Sequence, residues 1–222
     1  MPNPDTTFDP RYNTVILDVD STLCGLEGID WLAAQRGAGA ALEVARLTQR
    51  AMDGELTLDA VYGTRLAMIR PAAPEIASLA LAYRRALAPG AAAAVARLVR
   101  HGVRVLLVSG GIREAILPIA AGLRLPPADV HAVSLRFDAG GAYAGFDAAS
   151  PLATQDGKLL VVQSLALPRP TLAVGDGATD LAIRPAVDAF AALTGFVRRR
   201  AVAAAADFEV ASFDQLVEAV LP

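Results

Sequence analysis

An α/β fold, with a doubly wound and mostly parallel sheet and a helical segment inserted after its first strand, is predicted by three features of the 222-residue chain. Beyond residue 89, apolar strand-like runs alternate with helical patterns, as they do when helices join parallel strands. Residues 25–88 carry helical periodicity and no strand-like run. Three of the apolar runs end in short polar sequences, and a parallel sheet gathers such ends at one edge. The 54% apolar content suffices for one core plus an insertion. The expected division is a core of residues 1–24 and 89–222 and a helical domain of residues 25–88.

The first strand is Val15-Ile16-Leu17, apolar on both faces as a central parallel strand is. It runs into Asp18-Val19-Asp20-Ser21-Thr22, and the i, i+2 spacing points both carboxylates to one side if the extended geometry persists. Two like charges there favour a metal or a shared proton; the plain alternative is a solvated acidic turn. A calcium loop is excluded, because Leu23 and Ile29 occupy the positions that need Gly and Glu. Helices are predicted over Gly25–Arg36, Ala41–Met52, Leu56–Ile69 and Pro74–Leu87, separated by Gly- and Pro-containing breaks. Ala91–Arg100 reads as a helix and Val103–Val108 as a buried strand. Ser109-Gly110-Gly111 follows as a tight turn, then a helix from Ile112 to about Leu123, with a kink expected at Pro118. Ala132–Phe137 and Ala142–Phe146 flank Asp138-Ala139-Gly140-Gly141, a hairpin signal. A helix over Lys158–Leu167 leads to the strand Thr171–Val174 and the loop Gly175–Asp180. Short strands at Ala189–Leu193 and Phe208–Val210 precede a last helix, opened by the capping-box residues Ser212 and Gln215.

Bulk properties narrow the class. The net charge is -3, and the triplet Arg198-Arg199-Arg200 reads as a solvated helix face, so nucleic acid is not an expected partner. Cys24 is the single cysteine, which excludes an internal disulfide and fits a reducing compartment. Met1–Tyr12 lacks the basic and apolar regions of a signal peptide, and no apolar run reaches the length of a membrane span. The expectation is a cytoplasmic protein without a membrane partner, with monomer and homodimer both open. Gly175-Asp176-Gly177 lacks the spacing of a dinucleotide fingerprint.

The order of the polar strand ends, with Lys158 at a helix start before the third, is the informative pattern. Here the chain resembles the haloacid dehalogenase superfamily and, within it, the phosphoserine phosphatases. The first acidic loop resembles the nucleophile motif, Ser109-Gly110 the second, Lys158 the third and Gly175–Asp180 the fourth. Glu27-Gly28-Ile29-Asp30, Arg50-Ala51-Met52, Gly54, Arg65-Leu66-Ala67 and Tyr143–Asp147 extend the likeness outside the shared motifs. The resemblance implies a Rossmann-like core, a helical cap, and Mg²⁺-dependent hydrolysis of O-phosphoserine, the last step of serine biosynthesis.

It also implies the roles. Asp18 is the nucleophile, Asp20 the general acid and base, and Lys158 a catalytic cation. Mg²⁺ is held by Asp18, Asp176 and the main-chain carbonyl of Asp20, with Asp180 orienting bound water or Lys158 from behind. Ser109, Gly110 and Thr179 lie at the substrate. Glu27 faces the substrate ammonium, Arg65 its carboxylate, and Met52 and Gly54 line the pocket. The physics agrees: an ionised carboxylate needs no base to attack. Its difficulty is repulsion of about 4 kcal/mol per charge pair at about 4 Å and an effective dielectric near 20, which a cation offsets. One departure stands out: Leu58 occupies a position where the family usually has an aromatic residue. Another small phosphomonoester, transfer to an alcohol, or a phospho-aspartate signalling switch are the rival readings. The switch has no need of a long helical insertion.

Overall fold

Thr14–Leu17 forms β1 at the middle of a six-stranded sheet, flanked on both sides by parallel neighbours. The computed structural model describes residues 9–52 and 55–221. From β1 the chain enters four helices in succession: α1 (Gly28–Ala34), α2 (Ala38–Met52), α3 (Leu58–Ile69) and α4 (Ala73–Arg85). It returns through α5 (Ala91–Arg100) to β2 (Arg104–Ile112), α6 (Arg113–Gly122) and β3 (Val130–Val133). A separate antiparallel hairpin, β4 (Leu135–Phe137) and β5 (Tyr143–Phe146), precedes α7 (Gly157–Ser164). The second half of the sheet is β6 (Thr171–Gly175), α8 (Ala178–Leu181), β7 (Ala189–Leu193), α9 (Arg200–Ala205), β8 (Phe208–Val210) and α10 (Phe213–Val220).

The strand order β3-β2-β1-β6-β7-β8 is parallel throughout. The chain builds outward from β1 to one edge, then returns beside β1 and builds to the other. The crevice between β1 and β6 is therefore a topological switch point, where α/β sheets hold their ligands. β1, β6 and β7 are buried along their whole length, as their near-continuous apolar sequences require.

The helical insertion leaves and rejoins the sheet through two paired segments. Gly25 N–H donates to the Ala86 carbonyl at 2.8 Å and Ala88 N–H to that of Leu23 at 2.9 Å. Its α4 packs on α6 of the sheet layer. Cys24 is buried. No helix among the described residues is long and apolar enough to cross a membrane.

Several boundaries differ from expectation. The first inserted helix starts at Gly28, with Glu27 as its N-cap. β2 does not end at Val108 but carries Ser109-Gly110-Gly111 as strand to Ile112, with an irregular register against β3. The run expected as one hairpin strand splits: Val130–Val133 joins the sheet edge, and only Leu135–Phe137 pairs with β5. The apolar sequence is continuous across the break, so it carries no mark of the change of partner. α6 carries Pro118 in its interior. Ser212 caps α10 as expected, its Oγ accepting from Gln215 N–H at 3.2 Å.

Candidate active site

Asp18 is the first residue beyond β1, and Asp176 the first beyond β6. Asp18 N–H donates to the Val174 carbonyl at 3.0 Å, which locks the two strand ends side by side. Lys158, near the start of α7, reaches between them. Its Nζ donates to Asp18 Oδ1 and to Asp180 Oδ1, each at 2.5 Å. Asp180 lies on α8 and takes Gly177 N–H on its other oxygen at 2.9 Å. A side chain at Gly175 would put Cβ 2.2 Å from Asp180 Cγ, so only glycine admits this carboxylate against the end of β6.

Asp18, Asp176 and Asp180 offer carboxylate oxygens within 4.8 Å of one another, all buried. Thr22 Oγ1 donates to Asp176 Oδ1 at 3.1 Å, and Arg199 Nε to Asp176 Oδ2 at 3.0 Å. Burial and the Asp180 charge hold the Asp18 carboxyl well above the usual carboxylate range, although Lys158 opposes them. Burial, with Asp180 beside it, pushes Asp176 up to about 6. Burial works against the Lys158 ammonium, but the charges of Asp18 and Asp180 more than reverse it and hold its pKa above that of free lysine. Three acids facing two cations leave a net negative, all-oxygen donor set, which fits a hard divalent ion.

Asp20 stands apart from that cluster. Its Oδ1 accepts from Gly28 N–H at 3.0 Å and from the Tyr83 hydroxyl at 2.5 Å. Burial and the nearby Glu27 charge push it up to about 7, against the pull of those two donors. Glu27 accepts from Ser21 Oγ at 2.6 Å, and burial raises its pKa. Ser21 takes a left-handed backbone, φ 54°, at the turn that leaves β1.

Asp18, Asp20, Glu27, Lys158, Asp176 and Asp180 line one cavity. Ser109, Gly110 and Thr179 line the sheet side, and Arg65 and Glu27 the helical side. Arg65 is buried, and its Nη1 donates to Thr48 Oγ1 at 3.0 Å. Ser109 is buried, its Oγ accepting from Gly111 N–H at 3.0 Å. Gly54 lies outside the described residues, as does the Met52 side chain, so neither is placed in the wall.

Three residues at the site have no site role in the sequence pattern: Tyr83, Tyr62 and Arg199. Tyr83 looks like a core aromatic on an amphipathic helix. Tyr62 looks the same, yet it lines the cavity beside Arg65. Arg199 corrects the expectation of a solvated triplet: Arg198 pairs with Glu209 and Arg200 is exposed, but Arg199, capping α9, turns inward to Asp176.

The chain belongs to the haloacid dehalogenase-like hydrolase family, whose model matches residues 15–183. It is 38% identical over 208 residues to the phosphoserine phosphatase of Mus musculus, covering 92% of each chain. It is 37% identical over 211 residues to the chloroplastic phosphoserine phosphatase of Arabidopsis thaliana, covering 93% of this chain and 71% of that one. Among solved structures, a phospho-aspartyl intermediate analogue of phosphoserine phosphatase superposes with a TM-score of 0.77 at 25% identity, covering 94% of this chain and 98% of that one.

Proposed function

We propose that the chain hydrolyses O-phosphoserine to serine and phosphate, closing serine biosynthesis, with residues 25–88 as a substrate-selecting cap over a core of residues 1–24 and 89–222. The observation that carries this reading is a single cavity with two kinds of wall. One wall holds the Lys158-bridged carboxylates; the other holds two oppositely charged groups, the half-buried Glu27 and the buried Arg65. O-phosphoserine presents a phosphate, an ammonium and a carboxylate, and this cavity has a counterpart for each. The relatives named phosphoserine phosphatase support the same substrate.

In this reading Asp18 attacks phosphorus and becomes an aspartyl-phosphate as the serine oxygen leaves. Lys158, the Ser109 hydroxyl and the Gly110 amide hold the phosphoryl oxygens, with Thr179 beside them. Asp20, with a pKa of about 7, gives its proton to the leaving oxygen. It then takes one from the water that cleaves the acyl phosphate, the two halves of general acid–base catalysis. Asp180 fixes Lys158 between the acids. The carboxylates of Asp18 and Asp176 and the main-chain carbonyl of Asp20 would hold Mg²⁺, which when bound offsets the repulsion between Asp18 and the phosphate. Glu27 faces the ammonium, and Arg65 forms a charge-assisted pair with the carboxylate.

The test is phosphate and serine release from O-phosphoserine with Mg²⁺, set against phosphothreonine, phosphohomoserine and sugar phosphates. O-phosphoserine should be the preferred ester. Asp18→Asn should lose about a thousandfold or more in turnover; near-normal hydrolysis by that variant would remove the covalent route.

A further inference from the structure

Tyr62 is 1% exposed, and its hydroxyl has no hydrogen-bond partner among the described residues. Three residues on, the buried Nε of Arg65 is likewise without one. Folded proteins rarely leave such groups unpaired, because each costs about 1–3 kcal/mol. Both residues line the cavity that contains Asp18 and Lys158, so a ligand held in it is where such a partner would come from.

The phenol is held in place. Its ring packs on Phe146 of β5 at 5.3 Å between centroids and 59° between planes. The Arg65 guanidinium carbon stands 5.8 Å from the same ring. Burial raises the phenol's pKa, so near neutrality the group is an uncharged O–H donor. The two unpaired atoms are thus a phenolic O–H and a guanidinium N–H on one helix face, both donors. An ammonium cannot accept from them and is repelled by Arg65; a carboxylate accepts from both. Tyr62 brings an aromatic ring to the cavity wall together with a hydroxyl.

We propose that the Tyr62 hydroxyl and the Arg65 guanidinium form one receptor for the substrate carboxylate, and that Tyr62 is a specificity-determining residue for phosphorylated amino acids. This rests on the reading of the site as acting on O-phosphoserine. Losing one hydrogen bond to a charged group corresponds to roughly tenfold or more in affinity.

The experiment compares O-phosphoserine with O-phosphoethanolamine, which keeps the phosphate and amine and lacks the carboxylate. In Tyr62→Phe, which keeps the ring and its packing, KM for O-phosphoserine should rise about tenfold. The kcat/KM ratio of the two esters should fall by the same factor, with the change in KM and not kcat. Inhibition by serine should weaken in parallel, while inhibition by inorganic phosphate should not. A ratio that is unchanged, or a loss equal on both esters, would overturn the role of Tyr62. A wild-type chain with no preference for O-phosphoserine over O-phosphoethanolamine would overturn the functional reading, and this inference with it.

Discussion

The Tyr83 hydroxyl crosses from α4 to the loop beyond β1 and donates to Asp20 Oδ1 at 2.5 Å. A helix of the insertion thereby touches the residue assigned the proton transfers. The bond stabilises the carboxylate and works against burial, first, and the Glu27 charge, which together still raise the Asp20 pKa to about 7. The proposed first half-reaction needs Asp20 protonated, so kcat/KM should fall as pH rises through its pKa. Tyr83→Phe removes the donor and should move that basic limb upward by about one unit. A pH profile of kcat/KM in both proteins measures it, and a limb that stays in place would detach Tyr83 from the titration.

Gly28 is the reason Tyr83 can approach. A Cβ at that position would stand 2.1 Å from the Tyr83 oxygen and 2.9 Å from its Cζ. Gly28→Ala should therefore push the phenol away and destabilise the fold by about 1–3 kcal/mol. It should also reproduce part of the upward pH shift of Tyr83→Phe. Combined with Tyr83→Phe, which removes the closest atom, the loss should be smaller than the sum of the two single losses. Urea unfolding of the two single variants and the double variant decides it; strict additivity would mean that the two residues do not interact.

The legible parts of the fold and site share a property: they are written locally. Val15–Leu17 and Thr171–Val174 are continuous apolar runs, so the acids that follow, Asp18 and Asp176, could be put at strand ends and at one sheet edge. Lys158 could be put at a helix start for the same reason. The illegible parts depend on partners far along the chain. Tyr83 meets Asp20 across 63 residues, and on its own helix it obeys the apolar spacing of a core residue. Arg199 meets Asp176 across 23 residues, while its arginine neighbours make the triplet look uniformly solvated. The strand character of Ser109-Gly110-Gly111 escaped because such a sequence ordinarily turns. Here it lies along β3 with an irregular register. The orphaned atoms of Tyr62 and Arg65 have no sequence signature, since being unpaired is a property of the folded surroundings.

Cation binding should depend on pH in a stated direction. Burial and the Asp180 charge hold Asp176 near 6, and Asp18 also sits above the usual carboxylate range. A protonated carboxylate is a poor ligand, so binding must release the proton, and affinity falls as pH drops below about 6. The Mg²⁺ concentration for half-maximal activity should rise about tenfold per pH unit below that point for each proton released. Treatment with EDTA should abolish turnover and added Mg²⁺ should restore it. Activity indifferent to chelator, or a half-maximal concentration flat from pH 5 to 7, would contradict the assignment of these acids as ligands.

Arg36 and Glu75 tie the insertion together away from the site. The Arg36 guanidinium donates to the Ile69 carbonyl at 2.8 Å and the Arg70 carbonyl at 3.3 Å, closing the end of α3. It also forms a bidentate pair with Glu75, in which Nη2 meets Oε2 at 2.6 Å. Glu75 in turn accepts from Ala72 N–H at 2.8 Å, at the start of α4. The Arg36 hydrogen bond, ahead of other causes, lowers the Glu75 pKa to about 2. A depressed folded-state pKa contributes stability that is present above the unfolded value of about 4.3 and is lost as pH falls toward the folded one. Both side chains are 29% exposed, so solvent screening leaves the contribution at about 1 kcal/mol. Glu75→Gln keeps the acceptor for Ala72 and removes the charge. It should be less stable than wild type by about that amount at pH 7, with the gap narrowing steadily from pH 5 to pH 3. Urea midpoints across that range test it, and a gap independent of pH would show that the ion pair adds nothing to the fold.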